Sequence, residues 1–416
     1  MSAPDTLIET PADVVILGGG LVGMTLAIAL ARQGMTSHVV DASDPADTTA
    51  ASFDGRASAI STASWNLYTN LGMADALADK GCPIDAIAVT DGMKPGRIDF
   101  RPTPDESSLG RMFANRDLRI AMYAVAAGCP EITFHTRARV FSRERGAHGV
   151  KVTLGDGRVL EGKLLVGAEG RASPTRDEAG FTPARWSYHH RAIITGLTHE
   201  KPHGNTAWEI FYPAGPFALL PLLDDEAGRH RSALVWTVAE SDAAGVLALS
   251  PRAFLAEVAK RMGAKNGQTI FGELEIGAAR SSYPLNFHHT ARVTAERLVL
   301  VGDAAHGMHP IAGQGLNVGL RDVAALAEAL TDSARLGLDP GEAQALARYE
   351  RWRASDTLMV ATATDVLTRL FGLPGKLPSA VRRFGMAGVQ RLPTLKRWFM
   401  DEARGMNGDL PALLRG

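Results

Sequence analysis

The sequence predicts an α/β fold in which a parallel βαβ domain is interrupted by an antiparallel sheet and followed by a helical C-terminal region. Three observations support this fold class. A strand, a glycine-rich turn, a helix and a second strand follow one another over residues 12–45. Alternating strand and turn patterns occupy residues 185–285. From about residue 320 onward, apolar residues recur almost throughout at helical spacing.

The first unit has the pattern of a Rossmann-like, dinucleotide-binding βαβ fold. Its apolar strand leads into a turn that contains Gly18, Gly20 and Gly23, and its second strand ends at Asp41. Glycines at these positions allow a tight turn, the approach of a pyrophosphate and close packing of helix on strand, while the acid can bind a ribose. A structural glycine-rich turn without a nucleotide is the alternative.

The length of 416 residues exceeds that of a usual single domain, and the pattern predicts a discontinuous first domain. The predicted boundaries are 1–75, 105–180 and 285–330 for the nucleotide-binding domain, 76–104 and 181–284 for a substrate domain, and 331–416 for the helical region. Within these ranges we expect a loop over 46–60, helices over 59–70 and 110–128, and strands around 149–154 and 159–167.

Composition excludes several classes of protein. A net charge of −1 offers no general reason for nucleic-acid binding. Cys82 and Cys129 are far apart and form no CxxC motif, which is typical of a reducing, cytoplasmic setting. No apolar run reaches the roughly 20 residues of a membrane-spanning helix, so we expect a soluble or peripheral protein.

The most specific motif lies near residue 300. An apolar strand ends in Gly302-Asp303, a turn rich in proline and glycine follows, and a helix is predicted to begin near Gly315. The Asp303 carboxylate can accept hydrogen bonds from sugar-like hydroxyls, and N–H groups at a helix start can face a ring carbonyl or an anion. His306 and His309 lie three residues apart, but a metal would need three or four converging ligands, and we expect none.

Three motifs in this order resemble the single-component FAD-dependent aromatic-ring hydroxylases. They are Gly18-x-Gly20-x-x-Gly23, the run 164–176 with Glu169-Gly170, and Gly302-Asp-Ala-Ala-His306. The longer run 302–322 is similar to the branch that acts in ubiquinone biosynthesis, and Asp54-x-Arg56, Asn115-Arg116-x-Leu118 and 206–222 support it. One departure is Glu169, where the family usually has aspartate; this makes a nicotinamide or pyrophosphate contact there less secure.

The resemblance implies FAD as the cofactor and assigns roles to the matching residues. The cofactor-binding residues would be Gly18, Gly20 and Gly23 at the pyrophosphate, Asp41 at the ribose, Arg56 and Arg116 at the phosphate charge, Asp303 at the ribityl chain, and the backbone of Gly315, Leu316 and Asn317 at the flavin pyrimidine. His309 and Pro310 would be the catalytic candidates, with His309 facing the ring or orienting a phenol. Surface arginines and a helix-capping aspartate are the alternatives for the charged residues.

The implied reaction is hydroxylation of the ring of a polyprenylated phenol through a flavin C4a-hydroperoxide. It would consume O2 and a reduced donor, which is NADH, NADPH or another electron donor, within a ubiquinone-biosynthesis complex and without nucleic acid. Three other functions stay open at this point: hydroxylation of a soluble phenol, reduction of isoprenoid double bonds, and a structural flavoprotein subunit.

The C-terminal segment 373–406 mixes basic and large apolar residues. Seven basic residues oppose two acids, a net charge of +5; the nine are Lys376, Arg382, Arg383, Arg391, Lys396, Arg397 and Arg404 against Asp401 and Glu402. Basic residues interleaved with Trp and Phe fit a helix on an anionic membrane surface. The segment therefore predicts a peripheral location at the inner membrane surface, or a helix packed on the protein with a solvated basic face.

Overall fold

The computed structural model describes residues 8–50, 56–92, 96–103, 106–264, 269–307, 313–372 and 388–416. The strands are β1 (Ala12–Leu17), β2 (Ser37–Val40), β3 (Ala57–Ser61), β4 (Cys82–Pro83), β5 (Ala86–Asp91), β6 (Arg97–Phe100), β7 (Gly110–Ala114), β8 (Ile132–His135), β9 (Val140–Gly146), β10 (Gly149–Leu154), β11 (Val159–Gly167), β12 (Ala184–His199), β13 (Thr206–Tyr212), β14 (Gly215–Leu222), β15 (His230–Ala239), β16 (Leu274–Ile276), β17 (Ser281–His289), β18 (Thr294–Ala295), β19 (Leu298–Leu300) and β20 (His306–Gly307). The α-helices are α1 (Leu21–Ala31), α2 (Pro45–Thr48), α3 (Thr62–Asn70), α4 (Ala74–Leu77), α5 (Asn115–Ala127), α6 (Pro174–Glu178), α7 (Glu240–Ala248), α8 (Pro251–Arg261), α9 (Gln314–Arg335), α10 (Ala343–Gly372) and α11 (Pro393–Arg404).

The first sheet is Rossmann-like, as the sequence predicts. Its main strand order is β18-β19-β11-β1-β2-β8, and β1 pairs in parallel with both β2 and β11. The helix α1 is apolar over almost its whole length and is buried from Gly23 to Ala31. This burial follows because α5 and α9 both pack against it, so α1 lies inside the domain.

A second, nine-stranded sheet has the order β20-β17-β12-β15-β14-β13-β5-β6, with β16 beside β12. Its pairs are antiparallel except for β13 with β5. The helices α7 and α8 cover one face, where Phe217, Trp236 and Phe254 form a buried cluster. The opposite face is turned toward the small sheet β3-β7-β4 of the nucleotide-binding side. The predicted domain boundaries remain a prediction.

Two predicted helices begin later than the apolar spacing indicates. Residues 57–61 form strand β3 before α3 begins at Thr62, and residues 110–114 form β7 before α5 begins at Asn115. These two strands pair antiparallel with each other, from Ala57 opposite Ala114 to Ser61 opposite Gly110. A local pattern cannot reveal this pairing, because the partners are about 50 residues apart and tertiary contact overrides helix propensity.

Other local predictions need smaller corrections. The predicted loop over 46–60 contains the short helix α2, whose start is capped by the Asp44 side chain, and much of β3. The region of alternating strands over 185–285 also contains α7 and α8. Helices dominate after residue 313, as predicted, and none of the helices in the described ranges is long and apolar enough to cross a bilayer.

Candidate active site

The turn after β1 can be built only with glycine at two positions. Gly18 has φ +105°, and a Cβ there would lie 2.4 Å from the carbonyl oxygen of Ala168. A Cβ on Gly23 would lie 1.9 Å from the carbonyl oxygen of Gly18. At Gly20, by contrast, no atom of the described residues would lie within 4 Å of a Cβ. The backbone is thus tightly packed at Gly18 and Gly23 and uncovered at Gly20, where a phosphate can approach it.

Asp41 lies directly after β2 and is fixed by the same turn. Its Oδ2 accepts a hydrogen bond from the Gly19 N–H at 2.7 Å, and its Oδ1 accepts one from the Ser43 N–H at 2.7 Å. Each carboxylate oxygen has two lone pairs, so both can still accept a hydroxyl proton. This geometry suits the predicted contact with a ribose.

The two arginines of the prediction lie close together in the fold. The Asn115 N–H donates to the carbonyl oxygen of Arg56 at 3.0 Å, which joins the start of β3 to the first residues of α5. Arg116 is exposed, and its Nε donates to the carbonyl oxygen of Thr49 at 2.7 Å. The Arg56 guanidinium lies 5.2 Å from the centre of the Tyr283 ring. The backbones of Arg56 and Arg116 are thus close together, and their predicted contact with phosphate stays a prediction.

The motif near residue 300 packs onto the first turn of α1. A Cβ on Gly302 would lie 3.2 Å from Val22, and one on Gly319 would lie 2.9 Å from the same side chain. The Gly313 residue before α9 has φ +64° and, as a glycine, supplies no side-chain cap. A Cβ on Gly315 would meet no atom of the described residues within 4 Å, so these residues leave the first turn of α9 uncovered.

Asn317 performs a structural task with its side chain. The Oδ1 atom accepts from the Ser61 N–H at 3.0 Å, and the Nδ2 atom donates to the carbonyl oxygen of Ala59 at 2.9 Å. These bonds join β3 to α9 and bring Ala59 beside Gly313. Any ligand contact at Asn317 must therefore come mainly from its backbone, as the resemblance implies.

Asp303 lies in the 3-10 turn Gly302–Ala304 with a side chain that is 39% exposed. Its Oδ2 accepts from Arg171 Nε at 3.0 Å. Its carbonyl oxygen accepts from His288 Nε2 at 2.8 Å, and burial lowers the pKa of His288 to about 4, so this imidazole is neutral at pH 7. The backbone of Asp303 is held firmly while its carboxylate remains at the cleft surface.

A buried charge network lies behind this turn. Asp322 is 1% exposed, and its carboxylate accepts from the Gly302 N–H at 2.9 Å, from His306 Nε2 at 2.6 Å and from Arg353 Nε at 2.7 Å. Arg353 also pairs with Asp356. Burial alone would raise the pKa of Asp322, but His306 and Arg353 outweigh it and hold that pKa at about 2. The network joins α9 and α10 to both ends of the 302–307 segment.

Comparison with known proteins identifies this arrangement. The sequence profile of the family described as "FAD binding domain" matches residues 11–358. The chain belongs to this family. It is 42% identical to ubiquinone hydroxylase UbiL of Rhodospirillum rubrum, over 97% of this chain and 93% of the relative. It is 31% identical to the 3-demethoxyubiquinol 3-hydroxylase of Escherichia coli, over 95% and 99% of the two chains.

A solved structure supports the fold of this flavoprotein hydroxylase. The p-nitrophenol 4-monooxygenase PnpA of Pseudomonas putida DLL-E4 superposes with a TM-score of 0.78 at 19% identity, over 96% of this chain and 99% of that one. The family resemblance, the fold class and the FAD cofactor predicted from the sequence are therefore confirmed. The protein is an FAD-dependent monooxygenase, which uses O2 and a reduced donor.

The described residues fit FAD. Among the described residues, none would contact a Cβ at Gly20 or Gly315, Gly313 supplies no side-chain cap at the start of α9, and the Asp41 carboxylate is fixed by the turn after β1. An uncapped helix N-terminus stabilises negative charge on a bound group. The individual roles of Gly18, Gly20, Gly23, Asp41, Arg56, Arg116, Asp303, Gly315, Leu316 and Asn317 stay predictions. His309 and Pro310, the catalytic candidates, lie outside the described residues.

The carboxylate of Glu169, the residue that departs from the family pattern, is hydrogen-bonded to other residues of the protein. Its Oε2 accepts from the Ser173 hydroxyl at 2.6 Å and from the Thr175 N–H at 3.1 Å, and its Oε1 accepts from Arg143 at 3.0 Å. These bonds stabilise the start of α6. The longer acid thus has a structural role in the turn after β11, which leaves it less available to a dinucleotide.

Sequence reasoning missed two residues of this region. Arg353 completes the buried network from α10, and nothing near it in the sequence signals a partner 31 residues away. Glu209 lies in β13 and is 9% exposed. A signal for it exists, because an acid interrupts an otherwise apolar strand at residues 206–212.

Proposed function

We propose that this hydroxylase oxidises the aromatic ring of a polyprenylated phenol in ubiquinone biosynthesis. The observation that carries the proposal is an apolar layer between the FAD cleft and the nine-stranded sheet. Its members come from the nucleotide-binding side, the sheet and the C-terminal helix: Ala57, Ala59, Met112, Ala207, Leu220 and Met400. Such a layer suits a prenylated ring and excludes water from the reacting groups.

The chain's own residues provide positioning rather than acid–base chemistry on the cofactor. When bound, FAD supplies the activated oxygen that it takes from O2 after reduction by NADH, NADPH or another donor. The glycine turn and Asp41 would hold the adenine half, and the segment from Gly302 would hold the flavin half against α9. The apolar layer would orient the ring of the substrate. The 42% identical relative, which is named a ubiquinone hydroxylase, supports this substrate class.

The function is tested by deleting the gene in its host and analysing quinone intermediates. We expect ubiquinone to fall and a prenylated phenol that lacks one ring oxygen to accumulate. The wild-type gene should restore ubiquinone. The variant Asp303→Ala should restore less, whereas Arg171→Ala, which removes the ion-pair partner but keeps the carboxylate, should restore it more fully. An unchanged quinone profile in the deletion strain would contradict the proposal.

We further propose that the helix α11 places the enzyme on an anionic membrane surface, where such a substrate is dissolved. One side of α11 packs on the protein. Met400 is buried, the ring centres of Phe399 and Phe100 are 6.3 Å apart, and Arg404 forms an ion pair with Glu106 at 3.1 Å. Arg404, one of the seven basic residues of the segment, is therefore paired within the protein. Lys376, Arg382 and Arg383 lie outside the described residues.

The other side of α11 and the residue before it present apolar and basic groups together. Leu392, Leu395 and Trp398 are 53%, 37% and 40% exposed. Arg391 and Arg397 are exposed beside them. Large apolar side chains flanked by arginines are typical of helices that lie in the interface of an anionic bilayer. One side of α11 therefore packs on the protein, and the exposed apolar and basic groups of its other side support the proposed membrane contact.

Charge reversal on this side should weaken membrane binding. Each basic residue near an anionic surface contributes about 1 kcal/mol, so the double variant Arg391→Glu/Arg397→Glu should bind anionic liposomes at least roughly 30-fold more weakly. The measurement is co-sedimentation with vesicles that contain phosphatidylglycerol. As a matched control, Arg252→Glu/Arg292→Glu reverses two exposed arginines elsewhere and should bind normally. Equal binding by both double variants would remove the membrane proposal.

A further inference from the structure

Glu209 lies on the side of β13 that faces the FAD cleft. Side chains alternate along this strand, and Trp208, Ile210 and Tyr212 pack with the cluster under α7 and α8. Ala207 and Phe211 pack in clusters on the opposite side. Glu209 is two residues from each of them along the strand, so its carboxylate lies on their side of the sheet.

The residues that flank Glu209 on this side of β13 contact two regions, the start of α9 and the segment before α11. Ala207 packs in the cluster that includes Ala59, and a Cβ on Gly313, at the start of α9, would lie 3.2 Å from Ala59. Phe211, two residues after Glu209 and on the same side of the sheet, packs in a cluster with Val389, which shortly precedes α11. Glu209 therefore lies between the part of the cleft that fits the flavin and the segment proposed to contact lipid.

The carboxylate of Glu209 is surrounded by apolar residues. Ala218 and Val89 are directly opposite it on the neighbouring strands. The titratable groups on elements that contact or cover this part of the sheet include, within the described ranges, Cys82, Asp91, Arg111, Arg348, Tyr349, Glu350, Arg351, Arg353, Asp356 and Arg404. None of these groups shifts the pKa of Glu209, which burial alone raises to about 8. A buried acid without compensation is costly, and such groups occur where a ligand supplies the missing partner.

We propose that Glu209 binds the ring hydroxyl of the substrate and accepts its proton as the ring is hydroxylated. The phenolic O–H bond breaks, the proton forms a new O–H bond with a carboxylate oxygen of Glu209, and the electron pair remains on the phenolic oxygen. The resulting phenolate is a stronger nucleophile at its ortho and para carbons than the phenol. This inference rests on the proposed function, since it requires a phenolic substrate.

The acidity of Glu209 matches this task. An unperturbed phenol such as tyrosine has a pKa of about 10, and an ordinary glutamate one of about 4.3. A glutamate with a pKa of about 8 is a much better acceptor for a phenolic proton than an ordinary one. Proton transfer to Glu209 should therefore increase with pH. Below this pKa Glu209 is protonated and cannot take the phenolic proton, whereas above it the carboxylate can.

The test compares Glu209→Gln with the wild-type holoenzyme on two probes, 2-prenylphenol and 2-prenyl-4-nitrophenol. The nitro group makes the second phenol largely ionised near neutral pH, so it needs no base. For 2-prenylphenol we expect kcat/KM to fall on the order of 100-fold, as for the loss of a general base. The wild-type rate should increase with pH up to about 8, and this rise should be absent in the variant.

The second probe separates proton transfer from a general loss of structure. Above pH 8, where Glu209 is ionised, the variant should bind 2-prenyl-4-nitrophenolate, followed by the change in flavin absorbance, at least as tightly as the wild type, because the variant lacks the negative charge of Glu209. The matched control Glu275→Gln changes an exposed acid of the same sheet and should behave as wild type. FAD content and the melting temperature of each protein establish that it is folded.

Each outcome decides between the two proposals. A wild-type enzyme that binds and oxidises both probes, with the same pH profile in Glu209→Gln, would overturn the role of Glu209 and leave the proposed function intact. Equal losses on both probes would also overturn it, since they indicate a role in packing alone. A wild-type holoenzyme that binds neither phenol would overturn the proposed function, and the role of Glu209 with it.

Discussion

Replacing Asp322 with alanine is expected to lower the free energy of unfolding by about 3–5 kcal/mol, because the change leaves Arg353 and His306 buried without their shared carboxylate. Asp322 accepts three hydrogen bonds, two from the 302–307 segment and one from α10. The loss of the bond from the Gly302 N–H should also loosen the turn that carries Asp303. Denaturant unfolding of the apoprotein measures the first effect, and fluorescence titration with FAD measures the second.

An acid on the same helix provides the matched control. Asp332 also belongs to α9 and pairs with Arg348 at 2.7 Å, but both side chains are 41% exposed. The variant Asp332→Ala should therefore cost no more than about 1 kcal/mol, the usual range for a solvent-exposed ion pair. If Asp322→Ala were no more destabilised than Asp332→Ala, the buried network would not be what holds the 302–307 segment to α9 and α10.

A single methyl group at Gly23 is expected to abolish FAD retention and to destabilise the apoprotein by roughly 2 kcal/mol or more. The added Cβ would lie 1.9 Å from the carbonyl oxygen of Gly18, so α1 must move away from β1. This movement displaces the helix start that would face the pyrophosphate. The flavin content of Gly23→Ala after gel filtration and its unfolding midpoint measure the two effects.

The neighbouring glycine separates ligand binding from packing. Gly20 has φ −71° and ψ −172°, which alanine adopts readily, and a Cβ there would meet no atom of the described residues within 4 Å. Gly20→Ala should therefore leave apoprotein stability within about 0.5 kcal/mol of wild type and weaken FAD at least about tenfold by blocking the approach to the backbone. Unchanged FAD affinity in Gly20→Ala would show that the pyrophosphate is not bound at this turn.

Local patterns in the sequence were enough to predict the parts of the FAD cleft that depend on short stretches of chain. The glycine turn follows from four glycines within six residues, since only glycine tolerates the contacts at Gly18 and Gly23. Asp41 follows because it ends the second strand of the same unit. The family and the FAD cofactor were predicted from a resemblance, which rests on three separated motifs in their order along the chain.

Two outcomes differed from the local pattern because partners distant in the chain decided them. Residues 57–61 and 110–114 are strands instead of helix starts, since they pair with each other across about 50 residues. In the C-terminal segment, the sequence indicated one basic amphipathic surface. The fold divides it: Arg404 is buried against Glu106, while Trp398 remains exposed.

The sequence by itself determined the nucleotide-binding turn, because it depends on neighbours within a few residues, and the family, because its three motifs can be read in order along the chain. Only the tertiary structure decided which charged groups become buried partners and which face the cleft. Arg353 reaches Asp322 from another helix, and Glu209 becomes an isolated acid only when β5 and β14 pair on either side of it. The physical reason is that burial and charge pairing are properties of the assembled environment, and side-chain identity alone does not set them.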